Sequence, residues 1–299
     1  MVEGSPFSKG RSERREFWIA MIFIAPWIIG VLAFTISPIV MSFYYSLTEY
    51  RIFRPPEFIG FANFINMFKD PVFLKSLSNT FYIVLVGVPI TLLIALVISI
   101  LLNSKELRRY SFFRVAFFLP TLVPLIINCI LWVWLLNYEN GLINAVLALF
   151  GVQGPSWLGS PSWSKPALIL MMIWGCGSII IIFLAGIQDI SEALYESASL
   201  DGANFVQKSI HITIPMLAPV ILYNAVTLVI AAFQWFAEPF VMTEGGPNNS
   251  TLFYSLYLYQ NAFQFSKMGY ASAMAWVLLL IALGIIFLLF RGMRRFSQD

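Results

Sequence analysis

Charged residues are absent from six long stretches of this chain and crowd into the segments between them. The stretches are residues 17–48, 76–104, 115–138, 166–188, 212–237 and 268–290. A helix needs about 20 apolar residues to cross the hydrocarbon core of a bilayer, and each stretch is long enough, so six transmembrane helices are predicted. Two other uncharged stretches are not spans. Residues 140–164 are interrupted by Gly151, Gly154, Pro155, Gly159 and Pro161, and the apolar part near 142–152 is too short. Residues 245–266 open with two glycines and Pro247 and carry Gln260, Asn261 and Gln264. Both are expected to form interfacial helices, with Trp157, Trp163, Tyr254, Tyr257 and Tyr259 at headgroup depth.

Composition agrees with an all-α membrane protein. The 299 residues are 59% hydrophobic and 11% charged, against about a quarter charged in a soluble domain. Arg11, Arg14 and Arg15 precede the first apolar run, which is too long for a signal-peptide core and is expected to remain as a span. The expected organisation is an N-terminal segment at 1–16, a six-helix domain at 17–291 and a tail at 292–299.

With six spans both termini share one side, which carries Lys9, Arg11, Arg14, Arg15, Lys105, Arg108, Arg109, Arg114, Lys208, Arg291, Arg294 and Arg295. The other side carries only Arg51, Arg54, Lys69, Lys75, Lys165 and Lys267. The richer side is expected to be cytoplasmic, together with the segment 189–215.

Several function classes fall away. The six stretches hold no Asp, Glu, Lys or Arg, the usual equipment of proton relays and many ion-coupled carriers. No G-x-x-x-x-G-K-[ST] loop is present to cradle a nucleotide phosphate, so any hydrolase driving transport is a separate subunit. Cys129 and Cys176 both lie in apolar runs and make no disulfide framework. His211 is the only histidine, and no metal cluster surrounds it. Neither a catalytic site nor a bound cofactor is expected, and the net charge of +3 gives no reason to invoke nucleic acid. Prolines and glycines within the spans, including Pro38, Pro89, Pro120, Pro124, Gly175 and Gly177, suit a moving bundle with a central path as well as simple kinks.

The segment 189–215 is polar enough to lie on the membrane surface. Ile190, Ala193, Leu194 and Ser197/Ala198 recur at helical spacing and predict a short amphipathic helix over about 191–200. Asp201-Gly202 ends it, because Gly readily adopts the left-handed conformation. A second helical piece over about 203–211 leads to Pro215. Asp201 either caps that piece or belongs to a docking surface; Glu196 is either a solvated carboxylate or a docking group.

These residues carry a resemblance. Glu196, Ala198, Asp201, Gly202 and Ala203, then Ile212 and Pro215, resemble the cytoplasmic loop of ABC importer permeases. Ser197, Ser209 and Ile214 are mild departures. Trp174-x-Gly-x-x-Ile-Ile, Leu184-Ala-Gly-Ile-Gln188, Gly141-Leu-Ile-Asn144, Pro155-Ser-Trp-Leu158, Gly245-Gly-Pro247 and Gly269-Tyr-Ala-Ser-Ala273 are similar to the carbohydrate branch, in its first permease subunit of maltose, lactose and glycerol-phosphate type.

The resemblance implies a type I importer permease fold with a cytoplasmic coupling helix in a prokaryotic inner membrane. It also implies a second, homologous permease, two ATP-binding subunits that use ATP and Mg, and an extracytoplasmic solute-binding protein delivering a carbohydrate. The loop residues named above would couple to an ATPase subunit. For the sugar path, aromatic faces and neutral hydrogen-bonding groups are needed. Trp174, Gly175 and Ser178 on the fourth span, and Gln234 and Trp235 at the end of the fifth, are candidates. In similar permeases the midpoint of these spans lines the path, which adds Leu228, Ala231 and Ala232. A permease for a non-sugar solute, or a polytopic membrane enzyme, are the alternatives.

Overall fold

The computed structural model describes residues 6–104 and 111–296, with side chains over 14–104 and 112–292. Among them are six membrane-crossing elements. Spans one, two and six are continuous: Arg14–Ser46, Pro71–Leu102 and Met268–Gly292. The others are bent pairs: span three is Phe112–Leu122 with Leu125–Leu135, span four Ser164–Trp174 with Gly177–Gln188, and span five Phe205–Met216 with Ala218–Phe233. Helices Pro6–Val31 and Met268–Phe296 run through residues 16 and 292 without a break. Residues 1–5 and 297–299 lie outside the described residues, as do the side chains of Lys9, Arg11, Lys105, Arg108, Arg109, Arg294 and Arg295.

The bends follow from the sequence. Span three turns by 101° where Val123 is extended (ψ 126°) ahead of Pro124, the conformation a following proline imposes. Span four bends by 47° across Gly175-Cys176, and span five by 68° at Leu217, ahead of Pro219. Three wide π-type turns, Leu32–Ile36, Ile83–Gly87 and Ser209–Thr213, are each followed two residues later by a proline: Pro38, Pro89 and Pro215. A proline ring clashes with the carbonyl four residues back and offers no N–H; widening the turn accommodates both.

Ile83, Val88, Trp132, Leu168 and Phe233 join spans two to five in one apolar cluster. Ala95, Phe183, Leu184 and Leu217 form a second cluster nearer the side of the termini. Span one stands apart: none of its most apolar window is buried within the chain, and only its end, Ser37–Ser46, packs on span six.

On the opposite side a two-stranded hairpin, β1 (Thr48–Arg51) with β2 (Arg54–Phe58), is the only sheet among the described residues. Asn63 Nδ2 ties its base by donating to the carbonyls of Ser46 (2.9 Å) and Thr48 (2.8 Å). Short helices form in both of the uncharged stretches not expected to span, over Leu142–Leu149 and Tyr254–Tyr259. The expected headgroup placement of Tyr254 and Tyr257 is corrected, however. Tyr254 is fully buried and Tyr257 is 8% exposed, in a cluster with Met67, Phe73 and Met274. Their hydroxyls are satisfied inside the protein: Tyr254 donates to the Met274 carbonyl at 2.7 Å and Tyr257 to Asp70 Oδ2 at 2.6 Å.

Asp70 is the hub of this cap. It N-caps the helix that opens span two, accepting from the Val72 N–H at 2.9 Å, and also accepts from Tyr270 at 3.0 Å. Burial pushes its carboxyl upward, but the bonds from Tyr257, Val72 and Tyr270 outweigh it and leave the group below its ordinary value. Burial and the adjacent carboxylate push the Tyr257 hydroxyl up to about 12. A carboxyl lowered by folding stabilises above its unfolded pKa, about 4, and that contribution is lost as pH falls through the folded value. Asp70→Asn is therefore expected to lower the melting temperature of the purified protein by about 2–4 °C at pH 7. The difference should close in acid; an equal gap at pH 3 would contradict this account.

Candidate functional site

Two features are built from the residues singled out by sequence. One is a knuckle on the side of the termini. Helix Glu192–Leu200 ends at Asp201, and Gly202 takes φ +79°. The Gly202 N–H donates to the Ser199 carbonyl (3.1 Å) and the Ala203 N–H to the Ala198 carbonyl (2.9 Å), the paired bonds of a Schellman C-cap. A Cβ on Gly202 would meet nothing within 4 Å, so glycine is needed for its backbone angle rather than for space.

The chain then enters Phe205–Lys208, capped not by Asp201 but by Asn204. Asn204 Oδ1 accepts from the Gln207 N–H (2.9 Å) and Gln207 Oε1 from the Asn204 N–H (2.8 Å), a full capping box. Asp201 (φ −74°, ψ 0°) still belongs to the preceding helix, whereas Asn204 is extended (ψ 174°), as a cap requires. Two further bonds clamp the pieces: Lys208 Nζ to Ser199 Oγ (2.6 Å) and Tyr195 with Thr213 (2.9 Å). Glu196 is exposed beside a groove of about 410 Å³ that Tyr195, Phe205 and Lys208 also line. Ile212 packs into the nearby core, whereas Pro215 is exposed. Leu200 (90% exposed), Phe205, Val206 and Ile210 present apolar surface at the tip. His211 is exposed, its Nδ1 2.9 Å from the Gln207 carbonyl oxygen.

The second feature is a cavity of about 440 Å³ where the broken helices meet, walled by span two, the bends of spans three and four, and span five. Of the residues suggested for a solute path, Gly175, Ser178, Leu228 and Trp235 line it. Trp174 does not; its ring packs edge-on against Trp132 at 5.8 Å. Ala232 is buried in the core cluster, while Ala231 and Gln234 are exposed outside the lining.

Among the wall residues that sequence reasoning missed are the polar Thr91, Asn128 and Glu238. Glu238 follows the fifth charge-free stretch, and its short helix, Ala237–Met242, folds back against Leu125–Leu135. Asn128, a lone amide near the middle of the third stretch, was the available signal. The wall of this cavity thus includes one carboxylate. Among the described residues no group of three His, Cys, Asp or Glu is placed to hold a metal ion; Cys129 and Cys176 are buried free thiols.

Known proteins share this architecture. The chain is 41% identical over 288 residues to the probable ABC transporter permease protein YesP of Bacillus subtilis, covering 95% of this chain and 93% of that one. It is 36% identical to the lactose transport system permease protein LacF of Rhizobium radiobacter, over 91% and 93% of the two chains. A bacterial alginate ABC transporter, crystallised with an alginate pentasaccharide-bound periplasmic protein, superposes with a TM-score of 0.79 at 25% identity, covering 96% of this chain and 98% of its own. Residues 59–299 match the family of binding-protein-dependent transport system inner membrane components, and to that family, as a multi-pass ABC transporter permease, this chain belongs.

Proposed function

We propose that the chain is the permease subunit of an ATP-driven, binding-protein-dependent sugar importer, forming half of the translocation pathway. The observation that carries this reading is the knuckle. A rigidly capped helix–turn–helix leaves the apolar residues of its tip exposed, and it continues directly into span five, which walls the cavity. Force applied at Gly202 therefore reaches the cavity through one bent helix.

Glu196, Ala198, Asp201, Gly202 and Ala203 dock on one of two ATP-binding subunits, which use ATP and Mg; Ile212 and Pro215 set the entry into span five. A second, homologous permease covers span one and completes the path. A solute-binding protein delivers sugar on the side of the hairpin, and both termini are cytoplasmic, as the Lys and Arg distribution favours. The chain itself hydrolyses nothing. Relatives named for lactose, arabinooligosaccharide and diacetylchitobiose uptake support a sugar cargo.

The test is reconstitution of the four kinds of subunit in proteoliposomes with labelled sugars. Uptake should require ATP and the binding protein; uptake by the permeases alone on an ion gradient would refute the proposal. Trp235→Ala, which removes an aromatic face from the cavity wall, is expected to lower uptake about tenfold. Trp174→Ala should cost less, since that ring stands outside the lining; the reverse order in initial rates would count against this cavity as the path.

A further inference from the structure

Between β2 and span two lies a short helix, Ala62–Lys69. At about 100° per residue its side chains fall into three sectors. Phe64 and Met67 turn inward, into the cluster that also holds Phe73 and Tyr254. Asn66 and Lys69 form a polar, exposed flank, and Asn66 lines a polar pocket with Glu49, Arg51 and Asp70. In the third sector Phe61, just ahead of the helix, is followed by Ile65 and Phe68, at i, i+4 and i+7. These three are 66%, 55% and 58% exposed. Apolar residues at that spacing form one stripe, which normally faces a core; here a different sector does so. A helix with one side on protein, one polar and one apolar suits a boundary where protein, water and oil meet.

Span six fixes the depth of this helix. Its charge-free stretch 268–290 lies between Lys267 and Arg291, in one unbroken helix. At 1.5 Å per residue that stretch is about 35 Å long, close to the ~30 Å of a hydrocarbon core. The first turn of span six therefore lies at the membrane surface on the side of the hairpin. The short helix is tied to that turn at both ends. Asn63 donates to the Ser46 and Thr48 carbonyls, and a Cβ on Gly269 would run into the Thr48 carbonyl oxygen. Asp70, directly after the helix, accepts from Tyr270 at 3.0 Å. An apolar stripe held at this depth meets acyl chains, and the long side chain of Lys69 beside it can reach headgroup phosphates.

We propose that Phe61, Ile65 and Phe68 seat in the leaflet on the side of the hairpin, making Ala62–Lys69 a membrane-surface helix whose partner is lipid. The inference goes beyond the transport reading and depends on neither cargo nor energy source. Because Asn63 and Asp70 also hold the hairpin base and the opening of span two, lipid contact at the stripe keeps the whole cap at a set height.

The experiment uses the complete complex in proteoliposomes of phosphatidylethanolamine and phosphatidylglycerol. Nitroxide labels are attached to Ile65→Cys and, for comparison, Asn66→Cys, in a background of Cys129→Ala and Cys176→Ala. Collisions are measured with oxygen, which concentrates in lipid, and with a water-soluble nickel chelate present on both sides of the membrane. The oxygen-to-nickel ratio should be at least fivefold higher at position 65 than at position 66. Equal ratios place the stripe in water and overturn the proposal. A label at position 65 shielded from both reagents shows that protein covers the stripe, and overturns it as well. Should the cysteine-free background fail to assemble, a photoreactive benzoylphenylalanine in place of Phe68, with both native cysteines kept, gives a second readout. Illumination should add the mass of a phospholipid to the chain; adducts with a partner protein alone would refute lipid as the occupant. Neither readout requires transport, so failure of the importer reading would show separately, as absent ATP-dependent uptake.

Discussion

Gly202→Asp is expected to leave the protein inserted and assembled while solute-stimulated ATP hydrolysis drops at least tenfold, to the unstimulated level. The glycine sits at φ +79° with open space around its missing side chain, so nothing clashes when Asp is introduced. The backbone cost of a left-handed residue is roughly 1–2 kcal/mol, too little to unfold a polytopic bundle. The same cost is enough to tilt the Schellman turn and to project a carboxylate next to Asp201 at the tip. The exposed Leu200, Phe205 and Val206 would then no longer meet a partner in register. Gly202→Asn is the control: Asn tolerates the left-handed region and adds no charge, so it should recover a large part of the stimulation. Normal stimulation in Gly202→Asp would show that the knuckle transmits nothing.

Gly177→Ala is expected to force spans three and four apart with a single methyl. Gly177 opens the second half of span four, where an added Cβ would run into the Phe117 carbonyl oxygen and come within 3.1 Å of the Phe118 Cα, with Thr121 Cγ2 at 2.9 Å. The first two are backbone atoms and cannot rotate away, so spans three and four must separate at the edge of the cavity. Overpacking of this kind costs about 1–3 kcal/mol. The variant is expected to melt several degrees lower and to lose uptake at least tenfold. Gly175→Ala is the comparison: its Cβ would meet only Met171 and Met172 carbonyls at 3.6 and 3.7 Å, so thermal stability should hardly change. Equal melting of both variants would mean that the contact at Gly177 is not tight.

The spans were legible because lipid imposes a single rule, a run of apolar residues of fixed length, and prolines in such runs announce breaks. Gly202 was legible for a similar reason, since a glycine between two helical periodicities has few other uses. What a linear pattern does not carry is the path of the chain after a span ends. Glu238 counts as a loop residue in any window of hydropathy, and only the fold-back of Ala237–Met242 onto span three puts it on the cavity wall. Tyr254 and Tyr257 failed the same way: aromatic residues near a membrane surface suggest headgroups until Asp70 and the Met274 carbonyl, distant in sequence, satisfy their hydroxyls. Of the two readings of Asp201, the cap falls instead to Asn204; Asp and Asn are equally good caps, and the backbone angle makes the choice.

The widened turns before Pro38, Pro89 and Pro215 bear on how such a bundle rocks. A helix that swivels at an ordinary turn must break ladder bonds, and in oil an orphaned amide has nowhere to go. At these three places the ladder is already stepped to a longer spacing, so a pivot exchanges one donor for the next along the strand of carbonyls. Each widened turn is thereby a knee at which a helix can swivel without stranding an amide.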